Sequence, residues 1–142
     1  MIKNKATFYT LSFTWGIIMT LVGCIVALVL LIAGKKPKKW GHCLYFEVGE
    51  GWGGLELGPF FLTSKNPSKG VKNHEHGHGF QNCKYGPFMV VISIMSAVRY
   101  WYRELKYHRK GLTPPTKYDD IWFEGEATKL GTEFIESLEN NQ

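Results

Sequence analysis

The chain has 142 residues, a net charge of +5 and three cysteines, which allows one domain plus a small additional element. Cys24, Cys43 and Cys83 form no Cys-x-x-Cys pair and suggest no disulfide framework. The densest basic run, Lys35, Lys36, Lys38 and Lys39, adjoins an apolar block where lysines meet anionic headgroups, and no RNA- or DNA-binding motif accompanies it, so no nucleic-acid partner is implied.

No charged residue occurs from Ala6 to Gly34, and Trp15–Ala33 is almost wholly aliphatic. About 20 such residues span a bilayer core, so the sequence predicts a single transmembrane helix, with the lipid bilayer as partner. Gly34 and Pro37 end it, and Trp40 suits the interfacial belt. The four lysines after the block outnumber Lys3 and Lys5 before it. The positive-inside rule therefore favours a cytoplasmic C-terminal domain. A cleaved signal peptide would have a shorter apolar region and a small-residue site, neither of which is clear. Leu21-Val22-Gly23-Cys24 looks like a lipobox, which would put the domain outside, but Ile25–Ile32 stays apolar after the cysteine. The division expected is an anchor with its basic flank over residues 1–40 and a second domain over residues 41–142.

Cys43–Val48 is rich in β-forming residues, with Leu44, Phe46 and Val48 on one face. The glycine-rich stretch Gly49–Gly54 reads as a turn. Leu55-Glu56-Leu57, continuing into Phe60-Phe61-Leu62, reads as the second strand of a hairpin, at an edge or broken at Pro59. An edge strand here could pair with an extended peptide, or the hairpin could simply pack under the next helix. Ser64–Lys72 reads as a loop, and Asn73 is the expected helix cap.

His74-Glu75-His76-Gly77-His78 is an H-E-x-x-H sequence. On a helix, His74 and His78 share one face and can reach one metal ion, with Glu75 placed as a base for metal-activated water. His76 faces away, and Cys83 lies more than a turn past His78, where it reads as a small buried residue. Gly77 costs helix stability, which makes sense if another backbone packs against it. The plain alternative is a surface turn bearing three solvated histidines. The helix is expected to end at Lys84-Tyr85-Gly86-Pro87. Phe88–Val98 is apolar but too short to span. It reads as a core helix with a basic end, or as a segment touching the membrane face, because residues 99–110 mix aromatic and basic side chains.

After the loop at Gly111–Thr116, a helix is expected from about Asp119 or Asp120 to Leu138. Glu124, Ala127, Thr128 and Gly131 share one stripe, which offers a carboxylate among small residues where a second helix can approach. A site with two histidines and a glutamate leaves its fourth position open to water, so Glu124 is the expected third ligand. Glu126, about 160° away around the helix, is held in reserve.

His-Glu-x-Gly-His followed on a later helix by Glu-x-x-Ala resembles the gluzincin class of zinc metallopeptidases, especially membrane-anchored bacterial ones. The resemblance implies one zinc ion held by His74, His78 and Glu124, with Glu75 as general base. It implies a hydrolase acting on a peptide or protein substrate. It is firm over residues 74–78 and loose over residues 124–131. The class often has aspartate after the alanine, where Thr128 stands here. Its hydroxyl can still orient a ligand histidine. Tyr118, His108 and Arg109 are unranked oxyanion stabilisers. Two alternatives differ in kind. A site-2-type intramembrane protease uses the same motif, but Lys69, Lys72 and Lys84 flank it here and no Leu-Asp-Gly follows. A non-catalytic membrane protein would close the fourth position with another ligand, such as His42, His108 or Cys83. The fold class expected is α+β: a transmembrane helix, then a small zincin-like domain with a β-hairpin, the H-E-x-x-H helix and a C-terminal ligand helix.

Overall fold

The computed structural model describes residues 2–112 and 121–140. Its described residues form an α+β fold with a four-stranded mixed sheet.

The charge-free N-terminal stretch folds as two helices instead of one. Asn4 caps α1 (Lys5–Phe13) by accepting from the Ala6 and Thr7 amides, and α2 (Ile17–Ile32) follows after a bend of 96°. Tertiary contacts hold the break at Thr14-Trp15-Gly16. The Trp15 indole donates to the Lys84 carbonyl at 3.4 Å, and Asn82 donates to the Gly16 carbonyl at 3.3 Å. The Thr20 hydroxyl donates to the Ser12 carbonyl across the bend at 2.7 Å. No single helix among the described residues is long and apolar enough to cross a membrane. The 16 residues of α2 rise about 24 Å, against about 30 Å of hydrocarbon. This corrects the expected single spanning helix. Part of the uncharged stretch belongs to the core, where Phe8 and Ser12 are fully buried.

Strands β1 (Lys38–Trp40), β2 (Cys43–Glu47), β3 (Gly54–Leu57) and β4 (Phe60–Thr63) lie in the order β1-β2-β4-β3. The expected hairpin between residues 43–48 and 55–62 is not formed. β3 and β4 make their own antiparallel hairpin, and β4 inserts beside β2 in parallel, with Leu44 opposite Phe60. The reason is local. Gly58 adopts a left-handed backbone (φ 72°) and Pro59 lacks an N–H, so the expected second strand is broken there and the chain reverses into two paired strands. β3 is consequently an edge strand. β2 also departs from the one-face expectation over Leu44, Phe46 and Val48: Cys43 and Tyr45 enter the main core, and Phe46 is buried as well. β1 comes from the basic flank. Its Trp40 lies under the Lys72 ammonium, 3.8 Å from the ring, and donates to Asn73.

Helix α3 (Lys69–Tyr85) starts a turn earlier than expected. Ser68 caps it, and Asn73 lies inside it. A 3-10 turn at Gly86–Phe88 leads into α4 (Met89–His108), and α5 (Trp122–Glu139) completes the fold. α3 packs between the sheet and α5. The main core joins Phe8, Cys43, Tyr45, Phe61, Phe80 and Phe134, and a second cluster joins Met19, Leu57, Met89 and Phe123.

Candidate metal centre

The crossing of α3 and α5 builds the site. A Cβ at Gly77 would collide with the Ala127 carbonyl, and one at Gly131 with the Asn73 carbonyl. Glycine at both points brings the backbones together, as the small-residue stripe of α5 predicts. The side chains that leave this crossing on its cleft side are His74, His78 and Glu124.

Their atoms converge. His74 Nε2 and His78 Nε2 are 3.0 Å apart, and each lies 3.2 Å from Glu124 Oε2. Three donors about 2.0–2.1 Å from one ion at tetrahedral angles would be separated by about 3.3 Å. The triangle is therefore nearly the right size before any adjustment.

The outer nitrogens are both engaged. The Gln81 amide nitrogen donates to the Phe123 carbonyl at 2.8 Å and to Glu126 Oε2 at 2.9 Å. Its Oε1 is thereby turned to accept from His78 Nδ1–H at 2.7 Å. His74 Nδ1 and the Thr128 hydroxyl share a hydrogen bond at 2.8 Å, in which either can donate. Both Nε2 atoms face the Glu124 carboxylate, a donor set that suits a shared cation. Burial opposes the charge on His78, but the Glu124 hydrogen bond and the charges of Glu75, Glu124 and Glu56 push its pKa up to about 9. For Glu124 burial also opposes ionisation, and the two imidazoles with Ser96 overcome it. Its pKa is held well below the usual carboxylate range. Ser96, from α4, donates to Glu124 Oε1.

These three residues are the group of histidine, cysteine, aspartate or glutamate side chains, among the described residues, that could hold a metal ion. The structure keeps the other possible ligands apart from them. His42 Nε2 meets the Lys3 carbonyl, the Cys83 thiol meets Ser12 and the Phe8 carbonyl, and His108 is exposed at the end of α4. His76 is fully buried on the far side of α3. It stacks on Phe134, accepts from the His42 amide at 3.0 Å, and is driven down to a pKa of about 3 by burial and the neighbouring His42. Glu126, the reserve ligand, is held by Gln81, Lys84 and Tyr85.

The triangle opens into a cleft of about 790 Å³ lined by β3, the loop before it, α3, α4 and α5. Glu75 lies in its wall, 5% exposed and packed so closely on Gly54 that a Cβ there would overlap its carboxylate. Burial raises its pKa, while the two metal-side histidines oppose the rise. His108 and Arg109 do not line the cleft, and Tyr118 lies outside the described residues.

Three residues at or behind the site escape the sequence reading. Gln81 lies at i+3 from His78, a spacing that could have revealed it. Ser96 carries no local signal. Glu56 sits between two leucines, as an outward-facing residue would. Instead Leu55 is half exposed and Glu56 is buried, with Oε1 accepting from the Gly58 amide at 2.5 Å. Glu56 Oε2 has no hydrogen-bond partner among the described residues, and burial pushes the group up to a pKa of about 8. Comparison with protein families, characterised proteins and solved structures gives no match, so the case for function rests on this site.

Proposed function

We propose that this chain is a membrane-associated zinc metallopeptidase that hydrolyses peptide bonds. The observation that carries the reading is the convergence of His74 Nε2, His78 Nε2 and Glu124 Oε2 at 3.0–3.2 Å on the floor of an open cleft that also holds Glu75. A bound zinc ion would supply Lewis acidity, lowering the pKa of a coordinated water and polarising the scissile carbonyl. Glu75 takes the proton of the attacking water and returns it to the leaving amine. Its buried position, which raises its proton affinity, suits both halves of that task. The free edge of β3 offers backbone N–H and C=O groups to an extended substrate lying across the cleft. The exposed aliphatic face of α2 supplies the membrane association, without a straight span.

A second reading, a metal that only ties α3 to α5, draws on the close backbone contacts at Gly77 and Gly131. One experiment separates the two. Zinc and proteolysis are measured on the detergent-solubilised full chain beside Glu124→Ala, Glu126→Ala and Glu75→Gln. The expected outcome is one zinc per chain, lost only in Glu124→Ala, with proteolysis reduced about 10²–10⁴-fold in Glu75→Gln. Zinc in the wild type without hydrolysis of unstructured proteins supports the structural reading. No zinc in the wild type overturns both.

A further inference from the structure

α4 is inside out for a helix on the surface of a protein in water. Of its 20 residues only Met89 is buried. Val91, Ile94, Met95, Val98, Tyr102 and Leu105 recur at helical spacing within about 120° of arc, and all are more than half exposed. The opposite side carries Ser93, Ser96 and Tyr100 into the metal cleft. Arg99 and Lys106, seven residues apart, run along one border of the apolar stripe. From Arg99 to Lys110 there are five basic residues against the single acid Glu104. Trp101, 63% exposed between the stripe and the cleft that it also lines, adds an amphipathic ring at the stripe's edge. At its start α4 meets α2 through the buried Met19–Met89 cluster.

We propose that α4 lies on the surface of an anionic lipid bilayer, its apolar stripe at the acyl boundary and Arg99 and Lys106 at the headgroups, so that the helix walling the metal cleft is held at the membrane and the cleft takes polypeptide segments near that surface. The charge settles the choice of occupant. Anionic headgroups complement this basic border, whereas a second copy offers no acidic border along its own stripe to pair with it. The helix also touches the site directly, because Ser96 donates to Glu124. Seating α4 on lipid therefore fixes the wall of the cleft and one contact of the third ligand. The substrate class rests on the metallopeptidase reading above; the docking does not.

The test uses the full chain reconstituted in vesicles of phosphatidylcholine and phosphatidylglycerol in which the phosphatidylcholine acyl chains are brominated. The fluorescence difference between wild type and Trp101→Phe isolates Trp101 from the other tryptophans. Quenching of that component by brominated lipid is expected. Arg99→Gln with Lys106→Gln should weaken docking of α4 about 30-fold, and more weakly charged vesicles should reproduce the loss. An unquenched Trp101, or an α4-mediated dimer that persists in vesicles, overturns the proposal. Glu75→Gln keeps the quenching. Quenching without zinc or proteolysis retains the docking and rejects the metallopeptidase, and proteolysis with Trp101 unquenched does the reverse.

Discussion

α4 and α5 flank the same cleft and are nearly equal in length, at 20 and 18 residues, yet they face opposite ways. α5 turns Phe123, Ala127, Gly131, Phe134 and Ile135 inward against α3, and its one carboxylate on that side becomes a third metal-facing group. α4 turns its polar side inward and its apolar stripe out. Amphipathic periodicity alone therefore identifies two faces without saying which is buried. What decides is the partner. α5 has small residues that admit another backbone, whereas α4 has bulky aliphatic and aromatic residues bordered by arginine and lysine.

The sharpest way to break this contrast is one substitution on each side. Gly77→Ala drives a methyl group into the Ala127 carbonyl, where neither backbone can yield without separating the helices. It should cost about 3 kcal/mol in denaturant unfolding. Val98→Ser, on the outward stripe, should cost no more than about 0.5 kcal/mol in detergent solution. Equal costs would mean that α4 is packed as α5 is.

The support of the site sharpens the same comparison at a smaller scale. Gln81→Leu keeps the side chain's bulk but removes the acceptor that orients His78 and the donors that tie α3 to Phe123 and Glu126. Metal affinity by competition with a chromogenic chelator should fall about 10–100-fold. Ser96→Ala, which deletes the hydrogen bond from α4 to Glu124, should stay at or below the lower end of that range. If it weakens binding more than Gln81→Leu, α4 is the dominant support.

A pH-dependent effect concerns Glu56. The folded chain keeps this carboxyl protonated up to about pH 8, whereas the unfolded chain ionises it above 4.5. Between those values the unfolded state binds fewer protons, so stability falls as pH rises, and above about 8 the loss is complete. Glu56→Gln lacks that fall. Its stability relative to wild type should grow across this interval and then level, as measured by urea midpoints in a pH series. A pH-independent difference would mean that Glu56 ionises on an ordinary schedule.

The site was more legible than its scaffold. The four-residue spacing of His74 and His78, the glycine between them and the small stripe behind Glu124 are local signals, and each needs only helical geometry to be read. Glu124 and Glu126 were separable because their directions differ around one helix. The parallel pairing of β2 with β4 was hidden because it depends on a reversal at Gly58-Pro59 followed by a long-range choice of neighbour. The bend at Thr14-Trp15-Gly16 was hidden because its fixing partners, Asn82 and Lys84, lie more than 60 residues away. The start of α3 was misread because Asn73 looked like a cap, while its side chain serves Trp40.

The packing of α1 bears on how the molecule can be divided. Phe8 lies against His76 and Phe80 beneath the metal-bearing helix, Tyr9 donates to the His42 carbonyl, and Ser12 meets Cys83. The first 13 residues are thus part of the floor on which α3 rests. Cleavage in the lysine run would strip that floor away and would also cut into the sheet at β1. The exposed aliphatic segment has no severable stalk: a cut there would leave α3 without its support instead of releasing an intact domain.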